Sequence, residues 1–419
     1  MNSRRRIVAL LVVALAGLFA AVAGSTHAAT KAGNTLVIWS DNYRQAAFQQ
    51  IGAKYEAANP GITVKVVQKQ FGVSGAGTVG GDLSTVDAAD APDVIVAAND
   101  WTGQLAANGL VVPLHLGKAQ KTLFPAYTLN GFSYGTAIKN LYGLPTQIEN
   151  IGLVVNTKMV KVPKTFKQLV KEALAWKKKH HTAVGIAVPD APPNGDPYHM
   201  YPFFSGLGGY IFGINKAGNL DPSNIGVANK KFLKNAKMID QWNKEGLISS
   251  KVDYNNAKAL FETKKVPFWI TGPWETQSLA QSKIKFKIIQ MPKIKYRSVP
   301  FLGIQGVMVT KYASAHGVGP IANNFVTNYL TTASAQYALA NAEGRYPASI
   351  PAGKKVHDKV LAQFGAASKG GVPMPNIPQM NSVWQYLGQA WIVSTKGKGA
   401  TKAAKAFKTA AHQIAVKIG

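Results

Sequence analysis

The 419-residue chain contains no cysteine. That excludes disulfides and thiolate metal sites, so stability has to come from packing. It also excludes lipid attachment at a processed N-terminal cysteine. Carboxylates are the second scarcity: 19 Asp and Glu stand against 47 Lys and Arg, a formal net charge of +28. Paired carboxylates lose their stabilising effect as pH falls through their folded-state pKa, whereas lysine and arginine stay charged. The shortage therefore suits an acidic surrounding. A positive field also suits nucleic acid or anionic polymer. The lysines, however, are scattered from Lys54 and Lys65 to Lys408 and Lys417 instead of clustered. A solvated basic surface is the expectation, with no nucleic-acid partner.

Long apolar runs are missing beyond the N-terminus, where none reaches the roughly 18 residues that span a bilayer. At the N-terminus, Arg4-Arg5-Arg6 precede an apolar run from Ile7 to Ala23, and small residues follow at Thr26, Ala28 and Ala29. This is the order of a secretory signal peptide. Residues 1–29 are expected to be that leader, cleaved near Ala28 or Ala29, with an uncleaved anchor as the competing reading. The product is then secreted, to a periplasm or a cell surface.

What is present is a chain that is 47% apolar and long enough for about two domains. Thr35 to Trp39 reads as a buried strand, Gln45 to Ala58 as a helix with Phe48, Ile51 and Tyr55 at helical spacing, and Ile62 to Val67 as a second strand. Strand, helix, strand with turns at each joint predicts an α/β layer with a largely parallel sheet. Ala91 to Ala98 is another strand, and Asn99, Asp100 and Trp101 lie past its carboxyl end, where such sheets place ligands. Further on, helices are predicted over Phe166 to Lys179, Ile321 to Ala340, Lys354 to Phe364, Val383 to Val393 and Thr401 to Val416. The last is basic and amphipathic, and reads as a cover for a domain more readily than as a membrane-surface helix.

Two motifs are set aside. Gly75-Ala-Gly-Thr-Val-Gly80 matches the dinucleotide fingerprint formally, but the crowding of glycines from Gly72 to Gly81 reads as a loop. His180-His181 has no third ligand nearby and reads as surface, so no metal is expected.

The chemistry concentrates in turns that hold an aromatic beside an acid: Asp100 and Trp101, Asp196 with Tyr198 and Tyr201, Trp274 and Glu275, and Trp384 after a Pro-rich turn. A sugar ring has an apolar C–H face and a hydroxyl edge, so its site needs flat aromatic plates and carboxylate or amide acceptors. Glu275 is also placed to cap or pair locally.

Met374-Pro-Asn-Ile-Pro-Gln-Met-Asn-Ser-Val-Trp384, Thr271-Gly-Pro-Trp274 and Asp196-Pro-Tyr198-His-Met-Tyr201 resemble, in the same order, the sugar-contacting segments of the maltose/maltodextrin-binding proteins of carbohydrate ABC importers. The resemblance runs from Leu36 to the C-terminus. It implies the α/β, two-lobed periplasmic-binding-protein fold, each lobe a mostly parallel sheet flanked by helices, with residues 30–145 plus 303–345 in one lobe and 146–302 plus 346–419 in the other. Crossings are expected near Leu144 to Glu149, Pro300 to Gly303 and Arg345 to Ile350.

Carried over, the family pattern makes Tyr198, Trp274 and Trp384 stacking plates, to which the residue reading adds Trp101 and Tyr201. Asp41, Arg44, Asp100, Glu149, Asp196 and Tyr254 become hydrogen-bonding residues. The chain departs from the pattern where Ala97 replaces a tryptophan, Trp101 an arginine, Asp196 a glutamate, His199 an aromatic and Gly388 an arginine one turn past Trp384. An acidic pair is also missing after the second strand, at Gln68-Lys-Gln-Phe71. The implied function is capture of maltose, maltodextrin or a related small glucoside for an ABC-importer permease, by a monomer without cofactor or catalysis. A secreted glycoside-active enzyme and a basic envelope adhesin are the alternatives.

Overall fold

The structure, a computed structural model, describes residues 33–73, 75–135 and 138–419, and the expected leader lies outside the described residues. The strands that organise it are β1 (Thr35–Ser40), β2 (Thr63–Gln68), β3 (Val94–Ala98), β4 (Leu144–Asn150), β5 (Gly152–Asn156), β6 (Phe268–Thr271), β7 (Phe286–Ile289), β8 (Phe301–Val309), β9 (Tyr346–Pro347) and β10 (Val372–Pro373). The helices that matter below are α1 (Gln45–Ala58), α2 (Phe166–His180), α3 (Pro197–Gly206), α4 (Ala333–Ala342), α5 (Lys359–Ala367), α6 (Met380–Thr395) and α7 (Ala403–Ile418).

One sheet runs β9-β4-β8-β3-β1-β2, with β10 on the end of β8; the other runs β6-β5-β7. These are the centres of two α/β lobes, as the two-lobed fold requires. In the larger sheet β1 lies parallel to β2 and β3, and β3 is wholly buried, which suits its unbroken apolar run. Strand β8 is antiparallel to both β3 and β4.

The expected mostly parallel sheet holds for β1 to β3 and is corrected in the second lobe, where β6 and β7 both pair antiparallel to β5. The reason lies in the crossing. Strand β4 passes through Ile151 straight into β5, which heads away from the junction. Strands β6 and β7 come back toward it, placing Thr271 opposite Gly152 and Ile289 opposite Leu153.

Local chemistry explains the helices. In α1 the buried face is Ala47, Phe48, Ile51, Gly52 and Tyr55, and Asn59-Pro60-Gly61 stops it. Helix α2 starts where Thr165 accepts from the Gln168 N–H at 3.1 Å. It ends in Lys177, Lys178, Lys179 and His180, cations suited to the negative end of the helix dipole.

The single helix expected over Ile321 to Ala340 is instead two helical segments separated by a π-type turn at Phe325–Tyr329. There Thr331 turns its hydroxyl onto the Thr327 carbonyl at 3.0 Å, and Thr332 caps α4 by accepting from Ala335 N–H at 3.4 Å. Helix α5 begins later than expected, because Asp358 accepts from Val360 and Leu361 N–H at 2.7 and 2.9 Å. Helix α7 buries Phe407 and Ile414 against α6 and the helix Lys237–Glu245, and so covers the second lobe.

The glycine-rich stretch forms a loop closed by a bridge between Gln70 and Thr78 and followed by a five-residue helix, Val79–Leu83. His180 is exposed and stacks on Trp176 at 4.0 Å. Among the described residues no group of His, Asp and Glu is arranged to hold a metal ion, and no helix is long and apolar enough to cross a membrane.

Candidate ligand-binding cleft

A cavity of about 860 Å³ lies between the two sheets. Its first-lobe wall is made by Tyr43, Phe71, Asp100 and Trp101; Glu149 comes from β4, Gln305 from β8 and Arg345 from the residue before β9; Asn194 to Tyr198, Tyr254, Trp274, Trp384 and Gln385 make the far wall. Eight of the residues singled out in the sequence are thus in one place: Asp100, Trp101, Glu149, Asp196, Tyr198, Tyr254, Trp274 and Trp384.

Each is delivered by the end of an element. Asp100 and Trp101 follow β3 directly, and Trp101 faces Phe71 with ring centroids 4.6 Å apart. Tyr198 sits in the first turn of α3, which Asp196 caps by accepting from His199 N–H at 2.9 Å while its other oxygen lies 2.7 Å from His199 Nδ1. Trp274 leaves β6 after Gly272 and Pro273, and its Nε1–H donates to the Tyr254 hydroxyl at 2.5 Å. The Tyr254 hydroxyl in turn donates to Glu275, whose other oxygen pairs with Lys258 Nζ at 2.7 Å. Glu275 thus pairs locally. Trp384 lies one turn into α6, and its Nε1–H donates across the cleft to Asp100 Oδ2 at 2.9 Å.

Three expected residues are elsewhere. Tyr201 is one turn deeper in α3, buried and stacked on Phe301 at 3.5 Å, so it serves the core. Asp41 and Arg44 lie beneath the cavity floor, each 1% exposed. Asp41 accepts from the Arg44 backbone N–H at 2.9 Å and also pairs with its guanidinium, which spends both carboxylate oxygens inside one turn.

That pair begins a buried chain of alternating charge. Arg44 Nε lies 3.0 Å from Glu343, Glu343 pairs with Arg345, and Arg345 pairs with Glu149, whose other oxygen accepts from Gln305 Nε2 at 3.1 Å. The Arg345 guanidinium also stands 5.6 Å from the Trp274 ring. Burial pushes the Asp41 carboxyl up, but the charge and hydrogen bonds of Arg44 outweigh it and hold the group below the usual range.

On the cavity side the balance is reversed. Burial pushes Asp100 up to about 6 against its bond from Trp384, and the nearby Glu149 adds to the rise. Burial likewise lifts the Tyr198 and Tyr254 hydroxyls well above the ordinary tyrosine range, with Glu275 reinforcing the second. Asp100 Oδ1 and the Tyr198 hydroxyl are buried without a hydrogen-bond partner from another residue. Buried polar atoms are nearly always paired, and these two lie under the cavity lining, the Tyr198 hydroxyl beside Gly303.

Phe71, Gln305, Arg345 and Tyr43 were not singled out from the sequence. Phe71 follows β2 as Asp100 follows β3, so the same strand-end argument would have found it. Arg345 was read as part of a crossing, and its charge partners, Glu149 and Glu343, come together only through the fold.

A family model described as bacterial extracellular solute-binding protein matches residues 50–363. The chain belongs to that family. This solute-binding protein is 28% identical to the galactooligosaccharide-binding protein of Bacillus subtilis across 94% of its length and 92% of the relative's. It is 26% identical to the maltodextrin-binding protein MdxE of Bacillus subtilis, covering 92% and 91% of the two chains. In structure it is similar to the Thermus thermophilus maltotriose binding protein bound with maltotriose, with a TM-score of 0.75 and 26% identity over 92% of this chain and 100% of the other.

Proposed function

We propose that the protein captures a short oligosaccharide, maltose, maltodextrin or a related small glucoside, between its lobes and hands it to the permease of an ABC importer. One observation carries the reading. Trp384, Trp274, Tyr198 and Trp101 line one cavity together with the carboxylate residues Asp100, Glu149 and Asp196. Its volume falls within the ~300–1,000 Å³ of small-molecule sites. Aromatic faces cover C–H surfaces while carboxylates accept hydrogen bonds from hydroxyl groups. Relatives named for maltodextrin and maltooligosaccharide transport support this, and one named for galactooligosaccharide widens the sugar classes worth testing.

The capture is without turnover. Both Glu149 oxygens are engaged, by Arg345 and Gln305, Asp196 is committed to capping α3 and to His199, and one oxygen of Asp100 accepts from Trp384, an arrangement that favours binding over an acid and nucleophile pair. The lobes divide as residues 30–145 with 303–345 and 146–302 with 346–419, and closure follows from ligand contacts made only when both walls meet. The protein works as a monomer outside the cytoplasm, in an acidic surrounding that suits its few carboxylates.

Titration calorimetry with maltose, maltotriose, trehalose and a galactooligosaccharide is the test. Binding of at least one, unaffected by salt and without release of reducing sugar, is expected. Binding that vanishes with added salt would favour an electrostatic adhesin, release of reducing sugar an enzyme, and silence toward all four would end the proposal.

A further inference from the structure

We propose that Gly388 sets the length of the sugar this cleft accepts; the inference rests on the oligosaccharide reading above. Gly388 stands one turn past Trp384 in α6, and the loop from Asp190 to Asp196 lies directly on it. A Cβ at Gly388 would overlap the Asn194 carbonyl oxygen. From the other side, a Cβ at Gly195 would come within 2.8 Å of the Gly388 carbonyl oxygen, and Gly195 has φ of +65°, a region that side chains disfavour. The two glycines therefore let backbone meet backbone at a spacing that admits no side chain.

The loop is held along its length. Its first residue, Asp190, is buried, with Oδ2 accepting from the Thr395 hydroxyl at 3.0 Å near the end of α6. Its middle is held by Gln389 Nε2–H, which donates to the Pro193 carbonyl. Its last residue, Asp196, caps α3, the helix that carries Tyr198. Asn194, Gly195 and Asp196 line the cavity beside Trp384 and Gln385. The loop is thus a fixed wall closing the cleft where a side chain at residue 388 would have pushed it away. A sugar stacked on Trp384 ends against Asn194 and Asp196, so further residues of a longer chain add no contacts in that direction.

The experiment is a ladder of maltose, maltotriose and maltohexaose, with the matching galactooligosaccharides, titrated calorimetrically into the wild type, Gly388→Ala and Gln389→Ala. Wild-type affinity is expected to level off by the trisaccharide. Gly388→Ala should shift the ratio of long-chain to short-chain affinity by at least about tenfold toward the long, and Gln389→Ala, which only loosens the wall, by about twofold to fivefold. General damage to the fold lowers all lengths alike and leaves that ratio unchanged, and in a folded variant an unchanged ratio overturns the proposal. Should Gly388→Ala fail to fold, Gln389→Ala decides by the same ratio. Wild-type affinity that keeps rising to the hexasaccharide also overturns it, while the oligosaccharide reading survives; no binding of any sugar removes both.

Discussion

The charged layer beneath the cleft and the aromatic wall of its second-lobe side are built on opposite principles. Beneath the first-lobe side runs Asp41–Arg44–Glu343–Arg345–Glu149, five charges neutralised in sequence and mostly out of water. Facing it, the second lobe presents Trp274, Tyr198 and Trp384, with the two indole N–H groups anchored by Tyr254 and Asp100 and the Tyr198 hydroxyl buried. Paired charges fix the position of Glu149 and Arg345 but have little left to give a neutral ligand. The aromatic wall has area to offer and few commitments. The contrast teaches that the charged layer should govern stability and the aromatic wall affinity.

The sharpest way to break that division is Arg44→Ala, which leaves the buried Asp41 carboxylate without the cation it pairs with. Breaking a buried pair from one side costs about 3–5 kcal/mol, and denaturant unfolding should show a loss of that size. Next in size, Trp384→Ala and Trp274→Ala should each weaken sugar capture roughly a hundredfold, about 3 kcal/mol, with a much smaller effect on unfolding. If either variant instead unfolds early and still binds, the assignment of affinity to the aromatic wall fails.

Asp100 joins the walls, and its pH dependence sharpens the comparison. Its native pKa of about 6 is raised above the ordinary carboxyl value, so the native state takes up the proton first. Its contribution to stability is therefore fully present below the ordinary carboxyl range and is lost as pH rises through about 6. Capture should run the other way, because a protonated Asp100 is the poorer acceptor. Calorimetric affinity should fall as pH drops through about 6 in the wild type and lose that inflection in Asp100→Asn.

The smallest effect is far from the cleft. His316 Nδ1 lies 2.7 Å from the buried Asp93 carboxylate and Nε2 lies 2.6 Å from the Ala88 carbonyl, so both ring nitrogens face acceptors. Burial opposes the charge on this ring, but the bonds to Ala88 and Asp93 outweigh it and raise its pKa. Its stabilising effect is present below the ordinary histidine range and fades as pH rises through the raised value. His316→Ala should lower thermal stability more at pH 5 than at pH 8, by no more than about 1 kcal/mol.

Much of the architecture could be read from spacing and punctuation. The β1–α1–β2 unit, the buried β3 and helices α2, α6 and α7 follow from apolar periodicity ended by Asn, Pro and Gly. Trp101, Tyr198 and Trp274 stand out in the sequence because each lies within two residues of an acid at an element's end, whereas Trp384 has no acid near it and stands out through the family resemblance. Pairing direction in the second lobe was not legible, since a buried apolar strand reads the same whether its neighbour runs with it or against it. Tyr201 was misplaced because local sequence cannot tell the first turn of α3 from the second, and only the depth of the helix decides which ring meets the cleft. Asp41 and Arg44, expected at the ligand, are instead paired with each other, and Arg44 also reaches Glu343, far away in the sequence.

Strand β4 leaves one sheet and becomes β5 of the other over the single buried residue Ile151. An axle that short has almost no slack. Any swing of one sheet against the other has to be absorbed at this joint by the few backbone angles on either side of Ile151.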